Sequence, residues 1–195
     1  MRFLAALALA SALPALAHSQ NTADTRLLSQ PAVSATHVAF IYAGDLWSVR
    51  LDGSDVRRLT TADGDETSPA FSPDGRLVVF TANYDGNTDV YVMPVGGGSP
   101  RRLTYHPAPD IAQGFTPDGR NVLFVSTRSA TTTRLAQLYT TPVDGGVEEQ
   151  LPIPSATQAT YSPDGRRIAY NPLPRAFDEW QHYRGGRTSE IWLYT

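Results

Sequence analysis

The residues of this chain that could do chemistry are few, and their spacing argues against most of the chemistry they suggest. Asp85, Asn87 and Asp89 copy the first half of a calcium loop, but Val90 stands where such a loop needs glycine and Gly96 where it needs a glutamate. A hairpin turn is therefore predicted there. Gly96-Gly97-Gly98 precedes an apolar strand pattern, not a helix, which makes it a turn and not a phosphate cradle. No Gly-x-Ser-x-Gly elbow occurs, and most prominent serines and aspartates fall at turn positions, so no serine–histidine–acid set is expected. His106 and His182 lack metal-ligand spacing, and there is no cysteine to supply a thiolate or a disulfide. The residues predict no catalytic, metal or cofactor site in the chain.

One stretch carries a pattern of a different kind. Between Asn171 and Ser189, Leu173, Phe177, Trp180 and Tyr183 recur at helical spacings, with Pro174 suited to a first helical turn and Gly185-Gly186 to its end. So short a helix is marginal alone and must lie on something. One reading makes 171–189 an inserted helical loop that covers the face of the fold. The other makes Phe177, Trp180 and Tyr183, with Arg184 and Arg187 beside them, a surface that docks a further domain or shapes the path of a substrate.

The elements that would position such a surface are announced by a repeat. Phe71-Ser72-Pro73-Asp74-Gly75-Arg76 returns as Phe115-Thr116-Pro117-Asp118-Gly119-Arg120 and as Tyr161-Ser162-Pro163-Asp164-Gly165-Arg166. The prolines stand 44 and 46 residues apart, close to the period of about 40–45 used by four-stranded propeller blades. Proline presets the turn, aspartate bonds the backbone just ahead, and glycine takes the left-handed conformation, so a type I hairpin turn with a glycine bulge is predicted. A strand follows each turn, then a third strand: Asp45–Val49, Asp89–Met93, Gln137–Thr141 and Glu190–Tyr194. Short fourth strands follow the first three of these, at Arg57–Thr60, Arg101–Thr104 and Glu149–Pro152, and their charges suit an outer edge. The fold class is all-β: a β-propeller of antiparallel four-stranded blades at 31–60, 66–104, 111–152 and 155–195, the last incomplete.

Ahead of the blades, Met1-Arg2 and an apolar run to Leu13 lead to Ala15-Leu16-Ala17, the pattern of a secretory signal peptide over 1–17. Residues 18–30 read as a linker. Pro14, His18 and Gln20 make the run too short to span a bilayer, and no later run is long enough. The expected location is periplasmic or secreted. A net charge of −3 and a pI near 5.7 offer no footprint for nucleic acid. The basic residues are all arginine and are scattered through every repeat.

Four blades that do not close would leave an apolar blade face at each end, so a longer polypeptide is expected to supply the rest. The rival arrangement is a closed four-bladed ring in which residues 25–29 serve as the outer strand of blade four.

The blades resemble the WD40-like, TolB-type propeller repeat. Within that group the chain resembles the amino-terminal propeller of tricorn-type serine peptidases. Three features carry the narrower match: Gln30-Pro31-Ala32-Val33 leading to Phe40-Ile41-Tyr42-Ala43-Gly44-Asp45-Leu46-Trp47, a first blade without the usual turn, and Arg175–Gly186 leading into Ile191-Trp192-Leu193-Tyr194. The resemblance implies a six-bladed ring at the front of a modular peptidase, whose propellers guide peptides while a catalytic serine, histidine and acid lie downstream of any residue present here. Partners implied are the remaining blades and catalytic domains of the parent polypeptide, peptides, and, as a further alternative, another copy of the chain. A periplasmic TolB-like scaffold that binds proteins is the competing function.

Overall fold

The computed structural model describes residues 28–130, 135–173 and 190–195. The first sheet contains β1 (Leu28–Val33), β2 (His37–Tyr42), β3 (Asp45–Arg50) and β4 (Arg57–Arg58). The second contains β5 (Glu66–Phe71), β6 (Leu77–Tyr84), β7 (Asn87–Pro94) and β8 (Arg101–Arg102). The third contains β9 (Asp110–Phe115), β10 (Asn121–Ser126), β11 (Gln137–Pro142) and β12 (Glu149–Gln150). In the fourth are β13 (Gln158–Tyr161), β14 (Ile168–Asn171) and β15 (Trp192–Tyr194). Each sheet is an antiparallel meander with its strands in sequence order. The described chain is thus all-β, with three four-stranded blades and one of three strands.

One boundary differs from expectation. Strand β1 begins at Leu28 and pairs with β2, Leu28 opposite Tyr42, so the end of the presumed linker 18–30 is already sheet. The same pairing takes Leu28 and Ser29 into blade one and removes them from any outer strand of blade four. Residues 1–17, the rest of that linker and the helical pattern over 174–189 lie outside the described residues.

The repeated hexapeptide folds the same way three times. Gly75, Gly119 and Gly165 have φ of 70°, 70° and 71°, where a side chain is resisted. Their N–H groups donate to the carbonyls of Ser72, Thr116 and Ser162. Asp74 Oδ1 accepts from the Ser72 hydroxyl at 2.6 Å and the Arg76 N–H at 3.0 Å, and Ser72 Oγ accepts from Leu77 N–H at 2.9 Å. Asp118 and Asp164 repeat this with Thr116 and Ser162. These hydroxyl bonds, then the backbone ones, hold all three carboxyls below the usual aspartate range. The turns also stack: a Cβ on Gly119 would lie 3.5 Å from Pro73, and one on Gly165 would lie 3.5 Å from Pro117.

Strand alternation sends neighbouring residues to different partners. Val78, Phe80 and Ala82 of β6 join Ala39, Ile41 and Leu46 between blades one and two. Val79, between them in sequence, packs with Val122 and Phe124 on the other side. Leu123, Val125 and Leu138 meet Ile168 and Tyr170 to form the third cluster. Phe80 and Phe124 are fully buried, each worth about 1.5–3 kcal/mol of transfer free energy. Each of these three buried clusters joins two neighbouring blades.

Candidate functional site

The first strand of each blade lies against the first strand of the next, β1 beside β5, β5 beside β9 and β9 beside β13. Together they form an inner wall. Three of the four carry a bulge at the matching place. Gln30-Pro31 faces the single residue Phe40, Ser68-Pro69 faces Phe80, and Gln113 is the inserted residue between the partners of Leu123 and Phe124. Gln30 and Ser68 take φ of 51° and 54°, an αL conformation few side chains adopt, and each is followed by proline. Strand β13 pairs with β14 without irregularity.

Backbone donors on these first strands point toward the neighbouring blade, where side chains receive them. Ser68 N–H donates to Gln30 Oε1 at 2.5 Å, Ala112 N–H to Thr81 Oγ1 at 2.9 Å, and Ala159 N–H to Gln113 Oε1 at 3.0 Å. Gln113 Nε2 donates in turn to the Ala112 carbonyl at 3.2 Å. One hollow of about 420 Å³ opens between β5, β9 and β13, walled by Ser68, Gln113, Gln158, Thr160 and Asn171. A second, of about 380 Å³, continues toward the turns past Phe71, Phe115 and Tyr161. They share Ala70, Gln113 and Thr160. None of the described residues lining either hollow carries a charge. Such a wall can bind by hydrogen bonds and shape.

Among the described residues three carboxylates are buried, and one of them reaches a second blade. Glu66, at the head of β5, accepts from Leu46 N–H at 3.1 Å and Thr60 Oγ1 at 2.8 Å in blade one, and from the Tyr84 hydroxyl. Burial raises the Glu66 carboxyl despite these bonds, and burial together with Glu66 raises the Tyr84 phenol. Asp89 is fully buried, bonded to Arg102 at 2.6 Å and Asn87 at 2.9 Å. Burial raises its carboxyl as well, against the pull of Arg102. Asp110, also fully buried, meets Arg128 at 2.5 Å, and Arg128 pairs in addition with Glu148 and lies over the Phe124 and Tyr139 rings. Glu66 thus ties blade two to blade one, while Asp89 and Asp110 brace blades two and three from within.

Of the sequence-derived candidates, Phe177, Trp180, Tyr183, Arg184 and Arg187 lie outside the described residues. Asp85-Gly86 forms a two-residue hairpin turn with both φ positive, at 55° and 78°, as the reading of that segment required. The His37 ring meets Thr36 Oγ1 and the His106 ring the Ala108 N–H. Among the described residues no cluster of three or more histidines and acids could hold a metal. Sequence reasoning missed Gln113 and took Gln30 only as part of a family motif; the shared signal was their place just upstream of the aromatic or Val that ends each first strand.

Comparison with known proteins agrees with this architecture. The family model described as the tricorn protease N-terminal beta propeller domain matches residues 25–195. Tricorn protease homolog 1 of Streptomyces coelicolor is 33% identical over 156 residues, 80% of this chain but 14% of its own length. The crystal structure of the tricorn protease superposes with a TM-score of 0.71 at 25% identity, covering 87% of this chain and 17% of that one. TolB from Acinetobacter baumannii superposes at 0.64 with 23% identity over 85% of this chain and 40% of its own, a likeness of fold. The chain therefore belongs to the tricorn protease N-terminal β-propeller family.

Proposed function

We propose that this chain is the leading, non-catalytic propeller of an exported tricorn-like serine peptidase, where it guides peptides and holds the catalytic domains in place. The observation that carries the reading is the uncharged inner wall on a chain that spans 14% of a tricorn homologue's length. The wall offers hydrogen bonds without a charged group, as a guide requires, and the rest of the relative's length has room for the chemistry. Export rests on residues 1–17, and the six-bladed ring on the family resemblance.

Two measurements test the proposal. The purified 195-residue chain should not hydrolyse peptides; turnover abolished by a serine-directed inhibitor would refute the non-catalytic role. The polypeptide encoded by the full reading frame should show that inhibitor-sensitive turnover, and excising residues 28–195 from it should lower the rate on long peptides more than on short ones. A reading frame that ends after a few more blades, with a product that binds proteins and cleaves none, would favour the TolB-like scaffold.

A further inference from the structure

The inner wall is not uniform along its length. In blades one and two the bulge places proline at the edge, Pro31 and Pro69, which bring no N–H and blunt the strand against pairing. At the matching positions blades three and four carry Gln113 and Ala159. Both hollows are lined by Gln113 and by residues of β13, and the first is bounded by Pro69 on its β5 side.

There, the Gln113 carboxamide behaves as a peptide group would. Its oxygen accepts from Ala159 N–H at 3.0 Å, and its nitrogen donates to the carbonyls of Ala112 at 3.2 Å and Ile111 at 3.4 Å. A strand-edge donor and a strand-edge acceptor are thus filled by a side chain that mimics the backbone. Around them the wall is uncharged, with Tyr170 and Ile191 at one side and Ala70, Ala112, Ala159 and Ala169 low enough for a main chain to approach. A charged side chain entering this hollow would lose water and find no described counter-charge.

We infer that the β9–β13 edge is a binding site for an extended, uncharged polypeptide segment, whose backbone replaces the Gln113 carboxamide at Ala159 N–H and the Ala112 carbonyl. This deepens the peptide-guiding role and rests on it. The mode is pairing of an added strand with an exposed edge, in which main-chain bonds supply affinity and the neutral wall selects against charge.

The test uses the full chain and capped, fluorescein-labelled octapeptides of Ser, Thr and Val, read by anisotropy, with versions carrying two Glu or two Lys and a neutral oligosaccharide as comparison. The neutral peptide should bind at least about tenfold more tightly than either charged one, a difference of about 1.4 kcal/mol. Ala159→Pro removes the edge N–H without removing a β13–β14 ladder bond, since that N–H points to Gln113, and should abolish binding while the circular dichroism spectrum is kept. Gln113→Glu keeps an acceptor for Ala159 and adds a charge, so it should shift preference to the Lys peptide; this variant decides the matter if the proline form fails to fold. Binding that ignores charge and both substitutions overturns the edge site yet leaves peptide guidance standing. Binding of the oligosaccharide alone, or of no peptide at all, overturns both.

Discussion

Glu66→Gln isolates what one buried carboxylate does for the contact between blades one and two. The carboxylate receives donors from the Leu46 N–H and the Thr60 and Tyr84 hydroxyls, and the residue is 1% exposed. A glutamine has one acceptor oxygen, and its amide nitrogen, a donor, would face a donor. Leu46 N–H keeps Thr60 Oγ1 at 2.9 Å, so the loss falls on one hydroxyl. Leaving one such buried donor unmet costs about 1–3 kcal/mol, and about 2 kcal/mol corresponds to a fall in Tm of about 4–8 °C for a chain of this size. The pH dependence sharpens the test. Because burial raises the folded Glu66 above its unfolded value of 4.5, its contribution is fully present below pH 4.5 and is lost as pH rises through the folded pKa. The Gln variant lacks that contribution, so its deficit in urea denaturation should be larger at pH 4 than at pH 7. Adding Tyr84→Phe removes the stranded hydroxyl and should make the double variant less destabilised than the sum of the singles. A deficit below about 0.5 kcal/mol, or one that grows toward neutral pH, would refute the reasoning.

Other expectations follow from the same geometry. Arg128→Ala leaves Asp110 buried without its cation, which should cost about 3–5 kcal/mol in chemical denaturation, with Asp110→Asn in the same chain recovering part of it. Asp74, Asp118 and Asp164 are held below their unfolded value of 3.8, so their contribution is present above that pH and lost as pH falls through the lowered pKa. Converting all three to Asn should flatten the acid limb of a pH–Tm profile, and an unchanged limb would count against the turn bonds. Gly119→Ala meets only an ordinary contact 3.5 Å from Pro73 and should cost about 1–2 kcal/mol for its φ alone. Gly64→Ala would drive its Cβ into the Asn83 carbonyl oxygen and should lower Tm further than Gly119→Ala does.

The fold could be read because its repeat is written in residues that have one structural use each. Pro73, Asp74 and Gly75 serve a turn and little else, and the apolar letters after them fill both faces of a strand. The inner wall was harder. Thr67-Ser68-Pro69 and Ala112-Gln113-Gly114 have no alternating pattern, because a bulge spoils the period and one side of the strand lines a hollow. Glu66 was hidden for another reason: in Asp63-Gly64-Asp65-Glu66 it reads as one more solvated acid, and only the approach of blade one makes it a buried acceptor. Asp89, weighed as a calcium ligand, works between Asn87 and Arg102. The start of β1 at Leu28 was missed since Leu28–Val33 lacks the turn that dates the other first strands.

Strand β6 feeds Phe80 to one neighbour and Val79 to the other. A slip of one residue there would empty both contacts together, because each residue would arrive where its opposite is needed. Damage in a middle blade therefore cannot stay local, and melting should spread outward in both directions. By the same logic, a single-residue insertion within such a strand is tolerated only where a bulge absorbs it, as Gln113 is absorbed in β9, and elsewhere it would invert inside and outside for two partners at once.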